Sequence, residues 1–92
     1  MSKRRWTFLT NHAHTLLAIA QNPEARLRDI AAVVGITERA AFRIVGELEA
    51  EGYVTKHKRG RRNVYEVNPD LPLRHPLEQQ QQVRSLLALV DR

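Results

Sequence analysis

The sequence predicts a small, mostly helical α+β domain. Three observations carry this: three apolar patterns of helical period in the first half, two β-rich runs around a glycine, and another apolar helical stripe near the C-terminus. Ninety-two residues, 42% hydrophobic and 27% charged, suit one globular domain, so residues 1–92 are read as a single unit with no separate catalytic module. A domain of this size hides only about 60% of its unfolded surface, so an added interface between copies is an expected source of stability.

The first helix is expected over 11–21, where Ala13, Leu16, Leu17 and Ala20 fall on one helical face; Thr10 or Asn11 can cap it and Asn22-Pro23 ends it. A short helix over 29–34 follows, with Ile30, Ala31, Val33 and Val34 as its apolar residues and Gly35 as a left-handed stop. Thr37 caps a third helix over 37–51, which Gly52 stops. A helical wheel of this segment gathers Ala41, Ile44, Val45 and Leu48 on one stripe and turns Arg39, Arg43, Gly46 and Ala50 outward. A short helix, the turn Gly35-Ile36-Thr37 and a longer helix with a small, basic outer face make a helix-turn-helix, which lays its second helix in the major groove of DNA.

YVTKHK and NVYEV, separated by RGRR, predict a hairpin over 53–67. Lys58, Arg59, Arg61 and Arg62 cluster at its loop, so the hairpin is suited to hold phosphates or enter the minor groove as the wing of a winged helix-turn-helix. Residues 68–76, with Pro69, Pro72 and Pro76, read as an extended connector. The last segment, 77–91, is expected as a C-terminal dimerisation helix whose stripe Val83, Leu86, Leu87 and Val90 meets a second copy, with Trp6 and Phe8 in the same interface.

Met1 to Arg5 and Gly52 to Val67 together hold eight of the fifteen Lys and Arg residues and one acid, Glu66. Positive charge confined to two segments points to a polyanion, and duplex DNA is favoured over an acidic membrane because no long basic amphipathic helix accompanies it. The absence of cysteine excludes disulfides, thiolate metal sites and a cysteine nucleophile. His12 and His14 point to different sides of their helix, with His57 and His75 remote, so no metal ligand set is expected. The two serines, Ser2 and Ser85, lie in terminal segments and no glycine-rich phosphate loop exists, so neither an enzyme nor a cofactor is expected. No apolar run approaches membrane-spanning length and no signal core follows the basic start, which makes a cytoplasmic location the expectation.

LRDIAAVVGITERAAFRIVGELEAEGYV, GRRNVYEV and PLRHPLE, in that order, resemble the helix-turn-helix, wing and tail of small bacterial winged helix-turn-helix transcriptional regulators of the MarR and ArsR kind, the tail looking like that of compact actinobacterial-type members. The resemblance covers nearly the whole chain, from WTFLTNHA to ALV. It implies a homodimer on double-stranded DNA, with Thr37, Glu38, Arg39, Ala40 and Arg43 at recognition-helix positions and Arg59, Arg61 and Arg62 in the wing. A dimer of this kind is expected to prefer an inverted repeat. The sequence holds no separate sensing segment and assigns no small-molecule effector.

Phe42 departs from the resemblance, standing where such regulators commonly carry a polar residue. Two readings are open: packing under the wing or second helix, or surface contact with a thymine methyl or another protein. Trp6 and Phe8 behind Lys3-Arg4-Arg5 have likewise two readings, as core or dimer filler or as a platform for unpaired bases. The leading function is sequence-specific duplex binding by a homodimeric regulator; the alternative is a winged-helix module that meets protein or RNA.

Overall fold

The computed structural model describes residues 6–90. The basic triplet Lys3-Arg4-Arg5 lies outside the described residues. The element order is α1 (Asn11–Gln21), α2 (Leu27–Val34), α3 (Glu38–Ala50), β1 (Val54–Arg59), β2 (Arg62–Val67) and α4 (Val83–Leu87). Three helices followed by a two-stranded antiparallel hairpin form a winged helix, completed by a short C-terminal helix.

Thr10 caps α1, its Oγ1 accepting the Ala13 N–H at 3.3 Å. The middle of α1, Thr15 to Ile19, is buried on every side, where the sequence predicts one apolar face. The reason is position: α2, α3, β2 and α4 all pack on this helix. Helix α2 starts two residues earlier than expected, at Leu27, because the Arg26 N–H donates to Asp29 Oδ2 at 3.2 Å and closes the first turn. Its end is as expected: Gly35 adopts φ 88° and its N–H reaches the Ala31 carbonyl at 2.8 Å. Val33, counted among the apolar residues of this helix, is exposed.

Thr37 caps α3 by accepting the Ala40 N–H at 3.0 Å, and Ala41, Ile44, Val45 and Leu48 form its buried stripe as the helical wheel predicts. The strands pair from Val54↔Val67 to Arg59↔Arg62, joined by Gly60 and Arg61. Gly60, at φ 63° in the first position of this two-residue loop, supplies the left-handed conformation that a tight hairpin requires. Val54 and Tyr65 enter the core at the base of the hairpin, and the rest of β1 is exposed.

The C-terminal segment corrects the sequence expectation. Residues 77–80 are turns, Gln81 is a bend and Gln82 a bridge, and the helix is the five-residue α4, against the expected span of 77–91. Backbone pairing across the connector supplies the cause: the Leu73 N–H donates to the Gln81 carbonyl and the Val83 N–H to the Leu71 carbonyl, both at 2.9 Å, with Pro72 bridging Gln82. Tyr53 Oη donates to the Pro72 carbonyl at 2.6 Å and holds this return against the end of α3. Leu77 and Gln79 to Gln82 have no buried face that would hold them helical. Among the described residues, no helix is long and apolar enough to cross a membrane.

Candidate nucleic-acid interface

The outer side of α3 is built by burial of the opposite side. With Ala41, Ile44, Val45 and Leu48 locked into the core, helical geometry exposes Glu38, Arg39, Phe42, Arg43, Gly46, Glu47 and Ala50. Ala40 is half-buried, and the Thr37 hydroxyl is committed to the cap. Of the two outward arginines, Arg39 enters no ion pair among the described residues. Arg43 pairs with Glu47 one turn on, NH1 to Oε2 at 3.3 Å.

Glu47 is shared. Its Oε1 lies 2.6 Å from His12 Nε2 on α1, and this hydrogen bond, with the Arg43 charge adding, holds the Glu47 carboxyl below its usual range despite some desolvation. The i,i+4 spacing of Arg43 and Glu47 was a sequence signal for the first pair; nothing in the sequence marks His12 as the other partner.

The wing divides its basic residues between two roles. Arg62 NH2 donates to the Glu24 carbonyl at 2.6 Å, and Arg59 NH1 lies 3.6 Å from Glu24 Oε2. With the Tyr65 N–H on the Pro23 carbonyl at 2.9 Å, these contacts tie the hairpin to the link between α1 and α2. Lys58 and Arg61 are exposed and enter no ion pair among the described residues. Glu24, which engages two of the four wing bases while both stay exposed, carries no sequence signal for that role. Burial, with the Glu49 charge adding, pushes the Tyr65 hydroxyl above its ordinary range, so Tyr65 is a neutral core residue.

Phe42 is 69% exposed, which overturns packing under the wing or second helix as its role. It lies on the flank of α3 away from Glu47, beside Glu38 and Arg39.

The expected dimer residues are only partly brought together on the surface. Val83 is 0% exposed and belongs to the chain's own core, so it is removed from the interface: the backbone bond to Leu71 draws it inward. Leu87 packs half-buried against the same core, while Leu86 and Val90 are half-buried. Trp6 and Phe8 are 78% and 90% exposed and pack edge-to-face on each other, ring centres 4.9 Å apart. Phe8, Leu9, Leu48, Tyr53, Leu86 and Leu89 line a concave, largely apolar surface of about 740 Å³ between α1, the end of α3 and the C-terminal segment. Leu89 was missed because a helix through residue 91 would have directed a different set of side chains to this side. Among the described residues, no group of three His, Asp or Glu side chains gathers as a metal site.

The sequence model of the MarR family matches residues 7–62, from the residues before α1 to the start of β2. No curated protein matches the sequence.

Proposed function

The chain belongs to the MarR family of DNA-binding transcription regulators, and from this premise we propose that it binds duplex DNA sequence-specifically as a homodimer, with α3 in the major groove and the wing on the backbone or in the minor groove. The observation that carries the reading is the outer face of α3, where Arg39 and Arg43 stand one turn apart beside Gly46 and Ala50, which leave the helix backbone unobstructed. Arg43 can exchange Glu47 for a base because an exposed ion pair is worth only about 0–1 kcal/mol. Thr37 and Ala40 build the start of the recognition helix, and Glu38 stands in its first turn, able to accept from a cytosine amino group. Lys58 and Arg61 contact the DNA backbone, while Arg59 and Arg62 act first by holding the wing in place.

Dimerisation is assigned to the concave apolar surface flanked by Phe8, Leu86 and Leu89, with Trp6 packed on Phe8 and Leu87 anchored on the core. Two recognition helices related by a two-fold axis favour an inverted repeat with half-site centres about 10 base pairs, or a multiple of that, apart.

The test is selection of duplexes from a random pool, then titration of wild type, Arg39→Ala and Arg43→Ala against selected and scrambled sequences at one salt concentration. Each substitution is expected to cost about 1–3 kcal/mol on the selected site and less on the scrambled one. Equal weakening on both would make the arginines phosphate ligands. Failure of the wild type to bind any duplex at low salt would hand the chain to the protein- or RNA-binding reading.

A further inference from the structure

The exposed residues of α3 are charged or small, with Phe42 the exception. Its helical neighbours toward solvent are Glu38, Arg39 and Gly46, so no other large apolar side chain of α3 extends the ring into the contiguous apolar surface that marks a protein-docking patch. A phenyl ring left in water forgoes the gain from burial. In the major groove, the apolar group that base edges present is the C5-methyl of thymine. Phe42 stands beside Arg39, on the flank opposite the Arg43–Glu47 pair, and a Cβ placed at Gly46 would meet open space, so no side chain of that next turn holds the ring back from a groove.

Resting on the DNA-binding reading above, we infer that Phe42 is a specificity-determining residue that packs on a pyrimidine C5-methyl group, selecting thymine at one position of each half-site next to the base read by Arg39. Positive charge on the neighbouring Arg39 draws the polyanion to this face, and the ring adds a contact that carries sequence information and no salt dependence of its own.

The experiment uses the full chain and a duplex it selects from a random pool, each thymine being replaced in turn by deoxyuridine, which removes only the methyl carbon. Wild type is expected to lose roughly three- to tenfold in affinity at one thymine per half-site, Phe42→Ala to be indifferent there, and Phe42→Leu to keep part of the effect. With 5-methylcytosine at that position, wild type should bind more tightly than with cytosine. Wild type indifferent to deoxyuridine everywhere, a selected site without thymine, or Phe42→Ala as sensitive as wild type would each overturn the inference. Should Phe42→Ala fail to fold, Phe42→Leu carries the assignment: a smaller loss than wild type at that thymine is expected, and a loss equal to wild type overturns it. If no duplex is bound, the DNA-binding reading and this inference fall together; methyl indifference on a duplex that still depends on Arg39 removes only the role of Phe42.

Discussion

His12 Nε2 and Glu47 Oε1 are 2.6 Å apart, joining α1 to the carboxylate that also pairs with Arg43 on the outer side of α3. One acid thus links the helical body to an arginine of the proposed reading face. Its lowered pKa sets the sign of a pH effect. A carboxylate depressed in the folded state adds stability above its ordinary value of 4.5, and that contribution is lost as pH falls through the folded value. Glu47→Gln should therefore lower the Tm at about pH 7, and lower it progressively less as the pH falls below 4.5, read from thermal melts across that range. The same variant should bind duplex DNA a few-fold more tightly at low salt, because Arg43 loses its competing charge. A Tm loss that does not change with pH would assign the effect to packing.

The wing is expected to separate two arginines that adjoin in sequence. Arg61→Ala should flatten the log–log salt dependence of DNA binding by about 0.9 per lost phosphate contact, with stability unchanged. Arg62→Ala, which removes the bond to the Glu24 carbonyl, should cost about 0.5–1.5 kcal/mol in urea unfolding. Identical behaviour of the two variants would contradict the division of roles.

Gly46 stands in the middle of α3, where a Cβ would meet nothing within 4 Å. Gly46→Ala should stabilise the fold by about 0.5–1 kcal/mol, through lower backbone entropy of the unfolded chain. If α3 approaches DNA along this line, affinity should fall in the same variant. Chemical unfolding and duplex titration on one preparation would show the opposed signs; a rise in both would place the close approach elsewhere.

Thr15 is fully buried and its Oγ1 has no hydrogen-bond partner among the described residues. Thr15→Val keeps the shape and removes the unsatisfied hydroxyl, for an expected gain of about 1 kcal/mol, or roughly 4–8 °C in Tm. Loss of stability would mean that the hydroxyl is satisfied in solution.

For the proposed dimer, Leu89→Glu should shift light scattering at tens of micromolar from dimer toward monomer, by setting a charge on the concave apolar surface. Val83→Ala should instead lower stability by about 0.5–3 kcal/mol, as a core truncation does. Dissociation without unfolding by Val83→Ala would return that residue to the interface.

From the sequence alone, the elements from α1 to β2 and the buried stripe of α3 were legible, because caps, apolar periodicity and the turn glycines Gly35, Gly52 and Gly60 act within a few residues of themselves. The candidate reading face followed from the same local rule: once four positions of α3 are buried, the opposite ones must be exposed. Phe42, about a quarter turn from the buried stripe, sat where periodicity does not decide between core and surface. Its exposure was settled by what packs beside α3. Tertiary structure alone decided the rest. Glu24 meets Arg62 through its backbone carbonyl across 38 positions and His12 meets Glu47 across 35, so which charged side chains are engaged within the chain depends on distant partners that no local pattern pairs with them. The C-terminal helix shortened, and Val83 moved inward, because backbone pairing with Leu71 and the bridge of Pro72 to Gln82 satisfy donors that a longer helix would have satisfied within itself. A sequence shows a residue's own preference, but not which distant partner will compete for it.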